Sequence, residues 1–211
     1  MAYATLDELK ARLRIPLQNA DQDPWLTTLL DAAAVTIEQL AGGRRFAADA
    51  NETRLIDCSA EYIMGGRILR LPDEMHAISA IVNGDGAAIT ASDFVTLPRL
   101  ASIVNGVVIA PTSTILTARP FYEIHLKVGS NKVWTYTDDW EGAISVTGKF
   151  GYSSTPPSPI QVAALDLATH FYKVPENIGK TIVSPDGMLL TPGAIPDHVV
   201  GLVRPFKREL I

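Results

Sequence analysis

The stretch 144–171, ISVTGKFGYSSTPPSPIQVAALDLATHF, changes its period once, and that change decides the fold. Over Ile144–Phe150 apolar and polar residues alternate, the two-residue period of a half-buried strand. Pro156, Pro157 and Pro159 then fix φ and withhold N–H donors, which leaves an extended connector over Ser153–Pro159. Beyond it Ile160, Ala163, Ala164, Leu167, Ala168 and Phe171 fall on one helical stripe, with Ser158 placed as N-cap, Pro159 at N1 and an end expected before Pro175. A sheet ends where a helix begins, and the chain is read as α+β.

Further towards the N-terminus a second stripe matches the first. Asp23 is placed as N-cap and Pro24 at N1; Leu26, Leu29, Leu30, Ala33, Ile37 and Leu40 keep helical spacing, and Gly42-Gly43 supplies the C-cap. Two Ala/Leu-rich stripes allow close approach, so helices 24–41 and 159–173 are predicted to pack together across the intervening chain. A shorter helix comes first: Thr5 and Glu8 form a capping box, and Leu6, Leu9 and Leu13 share a face before Pro16.

Between these helices the signal is short β-branched or aromatic runs split by turn residues. Strands are expected at Thr53–Ile56, Ile68–Arg70, Ile78–Val82, Phe94–Thr96, Val107–Ile109, Ile115–Thr117, Tyr122–Val128, Trp134–Tyr136 and Ile144–Phe150, with Asn83-Gly84-Asp85-Gly86 a tight turn. The expected organisation is a small helical bundle from residues 1–50 and 152–211, with a large antiparallel, sandwich-like β-domain inserted at 51–151.

After Pro175, the segment Asn177–Ile195 is punctuated by Pro185-Asp186-Gly187 and Pro192-Gly193 and is expected to be a long loop without elements of its own. A last helix from Pro196 carries Val199, Leu202 and Val203 inward until Pro205 breaks it. The remainder, Phe206 to Ile211, is a basic tail tipped by an aromatic. Arg204, Phe206, Lys207 and Arg208 are the candidate partner-binding residues, since the ring has no evident core to join and the cations steer towards acidic surface; the alternatives are a solvated C-terminal fray and, more weakly, a contact with nucleic-acid phosphates.

Of 211 residues, 47% are hydrophobic and only 19% charged, below the roughly 25% of an average soluble domain, so the chain folds around a core. Eighteen Lys and Arg against 23 Asp and Glu give a net charge of −5 with no long block of one sign, which argues against a nucleic-acid scaffold or a polybasic anchor. A mean hydropathy of +0.15 points to oligomerisation. Cys58 is the single cysteine, so no intrachain disulfide or thiol-rich zinc site is available, and a reducing compartment is the natural reading. Asp7, Glu8, Lys10, Arg12 and Arg14 leave no apolar core for a signal peptide, and no 18-residue apolar run predicts a membrane span.

Catalytic patterns fit poorly. Gly151-Tyr152-Ser153-Ser154-Thr155 lacks the second glycine of a nucleophile elbow, and the Asn83–Gly86 turn lacks the Lys-Ser/Thr of a phosphate cradle. His76, His125, His170 and His198 are scattered without metal-ligand spacing. Asp138, Asp139 and Glu141 around Trp140 read as a solvated turn, and Cys58 as a structural thiol. No catalytic residue, metal or cofactor is therefore expected.

The opening Tyr3–Lys10, the helix Leu29–Glu38 with Gly43-Arg44-Arg45-Phe46 after it, and Gly148–Tyr152 followed by Pro156-Pro157-Ser158-Pro159-Ile160 together resemble the head-tail connector (adaptor) proteins of tailed bacteriophages and gene-transfer particles. Ile195-Pro196 and Arg204-Pro205-Phe206-Lys207-Arg208 resemble that family's ending. The resemblance implies a structural virion protein, not an enzyme. It would assemble in the host cytoplasm and sit in the virion neck as a homo-oligomeric ring, dodecameric by resemblance, on the portal protein. It would extend a channel through which DNA passes without sequence-specific binding, and seat a tail-completion or stopper protein, with no membrane involved. About a hundred residues of β-structure between the second and third helices depart from the family's smallest members. The competing reading is a β-sandwich module for a carbohydrate or other ligand, with Trp134, Tyr136 and Trp140 as a stacking platform.

Overall fold

The computed structural model describes residues 2–98, 102–104, 107–109, 120–177, 182–183, 189–190 and 195–208. The chain divides into two compact units, a helical one from Met1–Arg44 with Pro156–Ile211 and a β unit from Arg45–Thr155.

The helical unit contains α1 (Leu6–Leu13), α2 (Asp23–Leu40), α3 (Ser158–Asn177) and α4 (Asp197–Val203). α1 starts at the expected capping box: the Glu8 amide donates to Thr5 Oγ1 at 3.2 Å, and the Thr5 amide donates to Glu8 Oε2 at 2.7 Å. Of the two stripes, Leu26, Leu29, Leu30, Ala33 and Ile37 of α2 and Ile160, Ala163, Ala164, Leu167 and Ala168 of α3 are buried, Leu40 and Phe171 are half-buried, Ala34 is buried as well, and the two helices pack together.

Asp23 is not the N-cap of α2. Gln22 holds that position without a side-chain bond, and Asp23 instead pairs with Lys10 Nζ at 2.5 Å. Lys10 is 2% exposed and also donates to the Leu17 carbonyl at 3.2 Å, so a buried ammonium outcompetes the helix terminus for the carboxylate. Ser158 is inside α3, whose first accepting carbonyl is that of Pro157. α3 also runs through Pro175 to Asn177 instead of ending before it. The proline falls in the last turn, where its missing N–H removes only one helical bond. In the segment expected to hold no element, Ile182–Val183 (β9) pairs antiparallel with Leu189–Leu190 (β10). The turns at 185–187 and 192–193 lie outside the described residues.

The β unit holds β1 (Glu52–Ile56), β2 (Ile63–Met64), β3 (Ile68–Val82), β4 (Phe94–Leu97), β5 (Ser102–Val104), β6 (Val107–Ile109), β7 (Phe121–Leu126) and β8 (Ile144–Phe150). All eight belong to one antiparallel sheet. The two strands expected at 68–70 and 78–82 are one strand of 15 residues. Its first part pairs with β2 and β7 and its second with β8 and β6. Pro72 is tolerated because the register with β7 shifts between Arg70 and Met75, where β3 changes partners and a ladder donor is dispensable. The strands form one sheet and not two stacked ones, and Leu69, Met75 and Ile78 of β3, Phe94 of β4, Ile124 of β7 and Ile144 and Val146 of β8 join one core.

Trp134–Tyr136 is not a strand. The Asn83 side chain, 2% exposed, donates to the Val133 carbonyl at 3.0 Å and accepts from the Thr135 amide at 3.2 Å, so an amide side chain satisfies the backbone in place of a ladder. Ile115–Thr117 lies outside the described residues.

Candidate functional site

Around the C-terminal segment the chain is tied down by α2. Val199 and Val203 bury one side of α4, and the helix passes into a single 3-10 turn, Arg204–Phe206, in which Pro205 needs no donor. The Phe206 ring is 6% exposed. This overturns the expectation of an aromatic without a core: Phe206 anchors the segment and is not available to fill a partner's pocket.

Arg44, just past α2, donates from Nη1 to the Phe206 carbonyl at 2.7 Å, and the Arg208 amide donates to the Ala41 carbonyl at 2.9 Å. Gly42 makes the crossing possible. Its φ is +77°, and a Cβ there would come within 3.4 Å of the Arg208 carbonyl oxygen. The segment therefore holds Arg204 and Lys207 exposed and Arg208 half-buried, beside the negative end of the α2 dipole. Of the four expected partner-binding residues, the structure leaves the two exposed cations as the most accessible. Arg44, which the sequence places in the Gly42-Gly43-Arg44 run directly after the second stripe, is the side chain that holds this segment.

Other chemistry is dispersed. His125 sits 2.8 Å from Glu123, and His198 Nε2 lies 3.4 Å from Asp166. Among the described residues, no group of three or more His, Cys, Asp or Glu side chains is placed to hold a metal ion, and no helix is long and apolar enough to cross a membrane. Burial pushes the Cys58 thiol up, away from the thiolate. Ser153 donates to the carbonyl of Thr155, within a loop and not at an elbow. The three-ring ligand platform is also undone, because Trp134 is 5% exposed and belongs to the sheet core, while Tyr136 and Trp140 remain exposed.

His76 is buried where β3 slips register between Met75 and Ala77. Burial is the main cause that lowers its pKa; Lys149 adds to the shift, and the Gly151 backbone and Asp49 oppose it. A histidine kept neutral in the folded state favours unfolding once the unfolded chain protonates. Stability of the β unit is therefore expected to fall as pH drops below the ordinary histidine value of 6.5. His76→Gln should flatten that part of the stability–pH curve in denaturant titrations; an unchanged slope would remove His76 as its source.

With this geometry in view, the fold is similar to solved chains from gene transfer agent (GTA) particles. One comes from the neck of an empty GTA particle computed with C6 symmetry, at 17% identity and TM-score 0.54. Another comes from the virion of a native GTA particle, at 14% and 0.56. A third comes from the neck of a native GTA particle computed with C12 symmetry, at 13% and 0.51. Each match covers 99% of this chain and 91% of the other. At such identities the likeness is one of fold. No protein-family model and no curated protein matches the chain.

Proposed function

We propose that this chain is a structural subunit of the neck of a phage-like or gene-transfer particle: a head-tail connector that forms a ring on the portal, extends the DNA channel and seats a tail-completion protein. The observation that carries the reading is a fold likeness to GTA neck and virion chains spanning both units, 99% of this chain. Supporting it, the net charge of −5 suits a channel wall along which DNA slides without sticking. The contact surface, towards the portal or a neighbouring copy in the ring, is the basic C-terminal segment, with Arg204 and Lys207 as contact groups and Phe206 as their internal anchor.

Loss of the protein is expected to leave DNA-filled heads without tails, counted by electron microscopy of purified particles, and the protein itself should be found in the neck of intact ones. Normal tailed particles in its absence would refute the connector role. Truncation at 204 is a poor probe, because removing Phe206 opens a cavity costing about 3–5 kcal/mol. Arg204→Ala with Lys207→Ala changes only exposed side chains and should alter stability by about 0.5 kcal/mol or less while reducing attachment to heads; undiminished attachment would remove the segment from the interface.

A further inference from the structure

We propose that Arg204 and Lys207 dock on an acid-rimmed aromatic patch at one end of the sheet of a second copy of this chain. The inference rests on the neck reading only for the repetition of copies around an axis. The patch forms beside the ends of β1 and β8, where Leu55, Tyr136 and Trp140 stand 68%, 46% and 42% exposed. They are held as neighbours by the backbone. The Cys58 amide donates to the Trp140 carbonyl at 2.8 Å, and a Cβ on Gly142 would come within 3.3 Å of Leu55 Cβ. Tyr136 bridges to Gly84, which lies directly against Ala143.

Asp85, Asp138, Asp139 and Glu141 rim these side chains and are all exposed. Asp85 and Asp139 accept only local backbone amides, from Ala87 and Glu141, and among the described residues none of the four has an ion-pair partner. Next to the patch is a cleft of about 250 Å³ lined by Cys58, Trp134, Thr135 and Tyr136 among others. Trp134 is buried, and its indole N–H has no hydrogen-bond partner among the described residues.

Exposed aromatic faces beside unpaired carboxylates suit a cationic segment, since guanidinium and ammonium groups stack on the rings while pairing with the acids. The same chain presents that segment. Arg204 and Lys207 are exposed and, among the described residues, unpaired. Copies of a chain carrying −5 repel one another unless opposite charges are set face to face, and these two surfaces provide the match. Because the surfaces differ, the contact is heterologous and repeats head to tail, closing into a ring where the rotation allows.

Sedimentation of the full chain at low and high salt tests the contact. Wild type should self-associate at low salt and dissociate as salt rises. Arg204→Glu/Lys207→Glu and Asp138→Lys/Glu141→Lys should each weaken self-association at least about tenfold. Mixing the two variants should restore it, because each reversed tail then meets a reversed rim on the other chain. A wild type that stays monomeric, variants that associate normally, or a mixture that stays dissociated would each overturn the contact. Particle composition separates this from the neck reading: a chain that self-associates this way but is absent from particles retires the neck, whereas reversed variants that still enter particles and associate normally retire the contact alone.

Discussion

Ala164→Glu is expected to unfold the helical unit. Ala164 is fully buried on α3, between Ala163 and Leu167, in the stripe by which α3 packs on α2. A carboxylate there is either charged without a partner or forced neutral, and it also needs room that two small-residue stripes do not leave. The cost is at least about 4 kcal/mol, a large part of the 5–15 kcal/mol that holds a typical domain. Far-ultraviolet circular dichroism should show the loss of helix, while tryptophan fluorescence in a Trp25→Phe/Trp140→Phe background, which leaves the core residue Trp134, reports on the sheet separately. Ala164→Ser, nearly the same in volume, should remain folded. A variant with glutamate at 164 that melts like wild type would refute the α2–α3 seam.

Gly148→Ala should be nearly as damaging, through a different mechanism. Gly148 pairs with Ile78 at the centre of the β3–β8 ladder. A Cβ there would lie 2.1 Å from the Ala77 carbonyl oxygen, 2.7 Å from Met75 Cε and 3.0 Å from Ile78 Cα. The methionine can swing aside; the two backbone atoms cannot move without parting the strands. A loss of about 3 kcal/mol is expected, lowering the melting temperature by roughly 10 °C. Gly129→Ala is the control, since nothing lies within 4 Å of its would-be Cβ, and it should melt within about 0.5 kcal/mol of wild type. Equal melting of the two variants would show that β3 and β8 are not so closely apposed.

Much of the helical unit was legible because its signals are local. The Thr5–Glu8 box closes within one turn, and the α2 and α3 stripes follow from 3.6-residue spacing alone. The alternation of Ile144–Phe150 likewise marked a strand with one buried face, and it appears in the structure residue for residue. The α+β class rests on these signals.

What the sequence determined by itself was therefore which residues turn inward along each element, and that a basic segment follows the last helix. Tertiary structure alone decided the partners. Pro72 could stay within β3 only because the ladder changes partner there, and the 134–136 run lost its strand to the side chain of Asn83, some fifty residues away. Lys10 could be buried only because Asp23 and the Leu17 carbonyl converge on its ammonium. The exposure of the candidate site was decided the same way. Arg44 and Phe206 lie 162 positions apart, and their hydrogen bond closes the segment onto α2, turning the ring inward and leaving Arg204 and Lys207 outside. Periodicity records the face a residue presents within its own element. Whether that face meets core, ion partner or solvent depends on which distant segment packs against it, and local spacing carries no information about that choice.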